Sequence, residues 1–510
     1  MTPIRGWRAL ALSLAALAPT AMADICSTLQ QANIEVEYPL SLTYNYDLTQ
    51  YWSAACSALR PTCIAAPSSA AEMSQIITEL HKVETLFAVK SGGHNPNNGW
   101  ASIENGLLIS TKNLNQVDYK GDNTAVIGPG LSWEEAQAGL DGTGQAVVGG
   151  RLGGVGVGGY MLGCGMSFLS TQYGWAANNV INFEVVLANG TIVNANKDKN
   201  DDLFAALKGG GNNFGVVTAY TVQTHPVGKV WGGNYIFTAD KTPQILAAVR
   251  NFVADYPDDK GAIILTSEHG AVLDLWILFL FYDGPEPPAG VFDEFSAIDH
   301  TSTAKTWDSY YDLLKNNDFF ILQYVPNIIP KGATDMRHSG QRYTIATETT
   351  PVPDNSSVLQ EYYDHWFQVT ESVLDVTGVL GSIAFQPVPK SFSRAAKAKG
   401  GDLLDVPTDT NYIFIELDFS YALSLDDDTI DQANQNLYGG MNNIIQKNID
   451  KGALPDVYRP LFMNDAYFRE DYWGRIKPES HQFALETRLR YDPDGFFQTR
   501  TSGGWRLPAQ

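Results

Sequence analysis

Lys90-Ser91-Gly92-Gly93-His94 follows the apolar run 85–89, and its reading decides the fold. A strand that ends in Ser-Gly-Gly can turn successive backbone N–H groups into one concave nest. Glycine accepts the positive φ such a curve needs and puts no side chain in the way. The expected occupant is an anion. The residue leaving the turn is a histidine, and a neutral imidazole nitrogen is a nucleophile. A plain turn with a surface histidine would show the same five residues, so the rest of the chain must decide between the two.

Two later glycine clusters favour the nest. The first is Gly149-Gly150-Arg151-Leu152-Gly153-Gly154-Val155-Gly156-Val157-Gly158-Gly159, continuing through Gly163 and Gly165. Such density lets backbone approach a flat cofactor and line it with N–H donors. It is not the dinucleotide fingerprint of a doubly wound sheet, because the spaced G-x-G-x-x-G and the later acidic residue are missing. The second cluster, Lys208-Gly209-Gly210-Gly211-Asn212-Asn213-Phe214-Gly215, precedes a strand at 216–222. With His94 beside the first turn, the combination points to a flavin whose methyl carbon is joined to imidazole.

The chain opens like a secretory signal over residues 1–23: Arg5 and Arg8, an apolar stretch at 9–18, and the small-residue site Ala21-Met22-Ala23 before Asp24. That stretch is too short to span a bilayer, and no later segment offers ~20 uninterrupted apolar residues. A secreted protein, or one of the secretory-pathway lumen, is expected. The net charge of −22 argues against nucleic acid and anionic membrane as partners and leaves small molecules open. Four cysteines cannot replace a core in a chain of 510 residues. One bridge among Cys26, Cys56 and Cys63, for instance Cys26–Cys63, would tie the N-terminal segment down, and Cys164 reads as a buried free thiol. Asn189-Gly190-Thr191 and Asn355-Ser356-Ser357 are glycosylation sequons, the second favoured because Asn189-Gly190 suits a tight hairpin. No metal site is expected.

The texture of the chain changes near residue 228. Before it, short strands alternate with helices: a capping box Ser69-Ala70-Ala71-Glu72 opens a helix, another follows at 133–140 behind Ser132 and Glu135, and alternation around 181–187 returns through Asn189-Gly190 to a strand at 191–195. After it, a helix at 243–256 precedes long strands at 262–266, 273–282, 383–388 and 412–421, expected to form one broad antiparallel sheet with helices on one face and the other face free to cover a ligand. A helix at 479–490 stops before Asp492-Pro493.

Five stretches in order resemble one known family: Ser91-Gly92-Gly93-His94, Val155-Gly156-Val157-Gly158-Gly159, Tyr173-Gly174-Trp175-Ala176-Ala177-Asn178-Asn179-Val180, the run from Asp202 to Gly215, and Tyr491-Asp492-Pro493-Asp494. They look like the berberine-bridge-enzyme-like branch of the vanillyl-alcohol-oxidase (PCMH-type) flavoproteins, in the style of a secreted fungal member. The resemblance implies an α+β fold: a two-part FAD-binding domain (24–227, with its core at about 57–227, joined by a returning C-terminal segment 456–510) and a substrate domain (228–455) built on a large antiparallel sheet backed by helices. It implies FAD joined covalently to His94, with Ser91, Gly92 and Gly93 at the pyrophosphate and Lys90 also among the cofactor-binding residues. Gly158, Gly159 and Gly163 would lie beside the cofactor, Val217 near its adenine end, and Asn464 near the flavin. Leu152 stands where many relatives carry a cysteine for a second link, so a single histidyl bond is expected. Val155 matches a position associated with oxygen access, which favours an oxidase over a dehydrogenase.

By the same resemblance the reaction is hydride transfer from an alcohol-bearing small molecule to flavin, with O2 reduced to H2O2, in a monomer. A carbohydrate or oligosaccharide is the leading substrate. A tailoring oxidase of secondary metabolism acting on an alkaloid, polyketide or phenolic is the alternative, and a flavin-carrying protein with little turnover is a third reading. The base is the open point. Relatives often have a tyrosine where this chain has Asp465, and a glutamate on a central strand where it has Gln386, which can orient a hydroxyl but is no base at neutral pH. Glu416 and Asp418 share one face of the strand 412–421 and are candidates, unless they form salt bridges or face solvent. Tyr458 and Tyr324 carry less weight.

Overall fold

The strand that delivers the glycine turn runs Phe87–Lys90, starting two residues later than expected. In the computed structural model, which describes residues 18–324 and 340–508, it is the edge of a four-stranded sheet ordered Glu35–Glu37, Cys63–Ala66, Leu107–Ser110, Phe87–Lys90. The last three strands are parallel. Residues 1–17 of the expected signal, and the side chain of Tyr324, lie outside the described residues. A disulfide joins Cys26, on the helix Ala18–Gln31, to Cys63 on this sheet, and Cys56 and Cys164 are buried thiols.

The helix Ala70–Leu80 packs Met73, Ile76, Ile77 and Leu80 inward, at the spacing the sequence shows. Its capping box forms only by half. Ser69 Oγ accepts from the Glu72 N–H, but the Glu72 carboxylate turns to Ser68, which offers it both an N–H and a hydroxyl. The box at Ser132 and Glu135 is complete.

A second sheet of six strands is antiparallel throughout: Val117–Tyr119, Thr124–Ile127, Val216–Pro226, Val180–Val186, Ile192–Ala195, with Gln145–Val147 also on Val216–Pro226. The expected hairpin is there: Gly190 takes φ +80° and Asn189 Oδ1 accepts from Thr191 N at 3.0 Å.

The chain then passes from Pro226 into a third, eight-stranded antiparallel sheet that begins at Val230–Thr238. Its long strands Gly261–Gly270, Leu273–Tyr282, Leu380–Val388, Tyr412–Tyr421 and Arg342–Pro351 lie side by side. Side chains alternate across it. Leu265, Leu278, Ile383 and Ile415 are buried against the helices Thr242–Ala254, Ser357–Glu371 and Asp427–Asp450, each stabilising the fold by about 1.5–3 kcal/mol when fully buried. The opposite face carries Ile264, Thr266, Glu268, Ile277, Glu416 and Asp418 toward the glycine turns. The architecture is a two-domain α+β fold.

The strand Arg342–Pro351 has no apolar alternation to announce it. Three of its four buried threonines have hydroxyls with backbone acceptors, among them Thr347 Oγ1, which donates to Ile415 O at 2.9 Å, and Thr349 Oγ1, which donates to Pro460 O at 2.5 Å. The C-terminal segment returns to the first sheet. Asp492 accepts from the N–H groups of Phe496 and Phe497, and both rings pack on Phe87.

Candidate active site

The glycine turns meet backbone to backbone. A Cβ on Gly92 would lie 2.4 Å from Gly156 Cα, so neither position has room for a side chain. Gly93 takes φ +69°. Ser91 Oγ locks the contact, accepting from Gly158 N at 3.0 Å and donating to Pro129 O. These turns form one wall of a cavity of about 460 Å³, to which His94, Leu152, Val155 and Val217 also contribute.

Gly159 lines the cavity, and a Cβ there would meet nothing within 4 Å. Gly163 faces Asn464, whose Oδ1 would sit 2.0 Å from a Cβ. Asn464 Nδ2 donates to Tyr160 O at 3.1 Å, while its Oδ1 is buried with no partner among the described residues. A groove free of side chains, edged by an orphaned amide oxygen, fits a flat cofactor with hydrogen-bonding edges. The His94 imidazole lies flat against Trp52, centroids 4.5 Å apart and planes 5° apart, and Trp52 is in turn backed by Tyr343 at 4.2 Å.

Two expected site residues are held elsewhere. Lys90 donates to Asp47 O at 2.8 Å and sits over the Tyr51 ring, since neighbours on an extended chain point opposite ways and Ser91 takes the cavity side. The Tyr458 hydroxyl donates to Leu404 O and accepts from Lys477 N, away from the cavity lining.

The facing wall is the third sheet, and it is acidic. Glu268, Glu416, Asp418 and Asp465 all line the cavity, with Arg151 the one lysine or arginine among the described lining residues. Gln386 is fully buried behind them, accepting from Arg151 Nη2 and donating to Asp465 Oδ2 at 2.8 Å. Burial raises every one of these carboxyls. Glu268 is pushed up to about 7 by burial and by Glu416, against a hydrogen bond from Ser382. Glu416 is raised by burial but held back by Arg151 and by a hydrogen bond with Asp418. Asp418 is driven well above the usual range by burial, then by Glu416, Asp465 and Glu268, and Asp465 by burial and Glu416. Of the two, Asp418 is raised further, so Glu416 gives up its proton more readily.

The sequence gives no site role to Glu268, Arg151, Trp52 or Tyr343. Glu268 was findable, because the strand Gly261–Gly270 carries the alternation two residues past Thr266 and places it beside Ser382, itself opposite Asp418. Arg151 stood inside a glycine run and had no local signal of its own.

The FAD binding domain family matches residues 61–196. An uncharacterized FAD-linked oxidoreductase of Arthroderma benhamiae is 44% identical over 489 residues, 95% of this chain and 94% of that one. The chain belongs to the family of the FAD-linked oxidoreductases, and it shares the fold of berberine bridge enzyme. It is an FAD-dependent oxidoreductase. An FAD-dependent monooxygenase of Penicillium roqueforti is 31% identical over 493 residues, 92% of this chain and 90% of that one. A carbohydrate oxidase from Microdochium nivale has the same fold, with a TM-score of 0.74 at 20% identity over 94% of this chain and 99% of that one.

Replacing Gly92 with alanine drives a methyl group into the Gly156 backbone. G92A is expected to lose at least tenfold in bound flavin per folded chain, read from visible absorbance, whereas G439A, whose added methyl meets nothing, keeps wild-type content.

Proposed function

We propose that the protein is an oxidase that tailors a compact, largely apolar alcohol, a secondary metabolite of polyketide, phenolic or alkaloid type, and passes the electrons to O2. The supporting observation is the pair Glu416 and Asp418 on the cavity face of the third sheet, opposite the glycine turns and His94. Of the two substrate classes the sequence suggests, the tailoring one is better supported than the carbohydrate one. Ile264, Leu275, Ile277 and Phe279 make the sheet side of the cavity aliphatic and aromatic around its acids, a surface suited to a ring or chain skeleton bearing few hydroxyls. The Penicillium roqueforti relative, named as an FAD-dependent monooxygenase, adds to that support.

His94 would hold FAD by a single covalent bond, Leu152 leaving no thiol for a second. Ser91, Gly92 and Gly93 would hold the pyrophosphate, with Gly158, Gly159, Gly163, Val217 and Asn464 around the remainder. When bound, FAD supplies the two-electron acceptor for the substrate carbon. The chain's own groups handle the proton. Glu416 takes it from the substrate hydroxyl, its negative charge favoured by Arg151 and by the proton on Asp418. Asp465, oriented by Gln386, fixes the hydroxyl. Val155 leaves space for oxygen beside the glycine run. In this reading 24–227 and 456–510 carry the cofactor, 228–455 covers it, and the protein is an exported monomer.

Peroxide release assayed with a panel of aromatic and polycyclic alcohols, and separately with oligosaccharides, tests the substrate class. The expected result is kcat/KM at least a hundredfold higher for the best apolar alcohol, and the reverse order would return the carbohydrate reading. Glu416→Gln keeps FAD but is expected to lower kcat/KM by about 10²–10⁴-fold. A base whose carboxyl is raised is lost to protonation at a higher pH than an ordinary carboxylate, so the acid limb of wild-type kcat/KM should lie above the usual carboxylate range, and an acid limb within or below that range would remove Glu416 from that role.

A further inference from the structure

The imidazole of His94 emerges from two glycines, one of them at φ +69°, so the backbone alone does little to fix where the ring points. Its placement comes from a stack of three rings. His94 lies on Trp52 with planes 5° apart, and Tyr343 covers the other face of Trp52 with planes 23° apart. Trp52 itself is 6% exposed, and its indole N–H is buried without a hydrogen-bond partner among the described residues, so the ring is located by its faces and its backbone. That backbone is tied at both ends. Trp52 N donates to Gly93 O at 3.1 Å, next to the histidine. Ser53 Oγ accepts from Tyr343 N at 3.1 Å, and Ala54 N donates to Gln341 O at 2.8 Å, which anchors the stack on the edge strand of the third sheet.

The lone pair with which an imidazole nitrogen attacks carbon lies in the plane of the ring. A partner stacked on the face therefore fixes that plane while leaving the ring edge open to the cavity, which both His94 and Trp52 line. We propose that Trp52 is the positioning residue for the covalent modification of His94, holding the imidazole plane in the orientation from which its nitrogen bonds to the flavin methyl carbon. This rests on the reading of His94 as the attachment site. In that step an N–C bond forms at the unprotonated ring nitrogen, the other ring nitrogen gives up its proton, the methyl gives up one hydrogen, and the electron pair released passes to O2, which leaves as H2O2.

The test reads attachment rather than turnover. Wild type, Trp52→Leu and Trp52→Phe are purified from culture and the share of chains carrying covalent flavin is measured by intact mass after acid denaturation. The time course is followed after adding FAD to under-filled preparations, with thermal melting and total bound flavin recorded alongside. W52L fills the volume without a flat ring, and is expected to attach flavin at least tenfold more slowly while still binding it reversibly. W52F restores a face to stack on and is expected to stay within about threefold of wild type. Attachment by W52L as fast and complete as wild type would overturn the proposal. So would a loss in W52F as deep as in W52L, since volume and not the stack would then be at issue. Where W52L gives no soluble protein, Tyr343→Leu is read the same way, because it loosens Trp52 from behind: slower attachment supports the proposal and an unchanged rate overturns it. A wild type without covalent flavin would instead sink the attachment reading itself.

Discussion

The backbone contact between Gly92 and Gly156 is the constraint on which the rest of the site depends. Two turns from distant parts of the chain approach to a distance that any Cβ would forbid, and Ser91 Oγ bridges them by bonding to Pro129 and Gly158. That contact creates a wall of backbone with no side chains, along which a flat cofactor can lie. His94 leaves the first turn at the edge of this wall, and Asn464, arriving with the C-terminal segment, closes it from the side of Gly163. The first sheet, the second sheet and the last helices all serve to hold these few backbone atoms in place.

The third sheet solves a different problem, which is to keep several acids out of bulk water without unfolding the protein. Isolated buried carboxylates would cost several kcal/mol each. Here the cost is offset by a raised affinity for protons and by one cation: burial raises Asp418 and Asp465 well above the usual carboxylate range, Arg151 favours the charge on Glu416, and Gln386 links Arg151 to Asp465. The same arrangement leaves Glu416 the most readily ionised of the three acids Glu416, Asp418 and Asp465, the property a base in a mostly apolar cavity requires.

Much of this was legible in the residues. The glycine turn, the period-2 alternation at Tyr412–Tyr421, the hairpin at Asn189-Gly190 and the pairing of Glu416 with Asp418 on one face follow from local rules, and the structure has each. What escaped was set by partners remote in sequence. The strand Arg342–Pro351 is polar on its own, and the backbone carbonyls of Ile415 and Pro460 that meet two of its buried hydroxyls come from distant segments. Lys90 was expected at the cofactor, but its ammonium is held by Asp47 O and the Tyr51 ring. Trp52 lies in no motif, and its meaning appears only when the fold stacks it between His94 and Tyr343.

Peptide mapping of the purified protein is the most direct check on the attachment of flavin at the glycine turn. Trypsin releases residues 91–112 as one peptide containing His94 and no other histidine. Tandem mass spectrometry of that peptide is expected to find the mass of FAD added, with fragment ions placing it on His94. Recovery of the peptide at its bare mass, with all flavin free in solution, would contradict it.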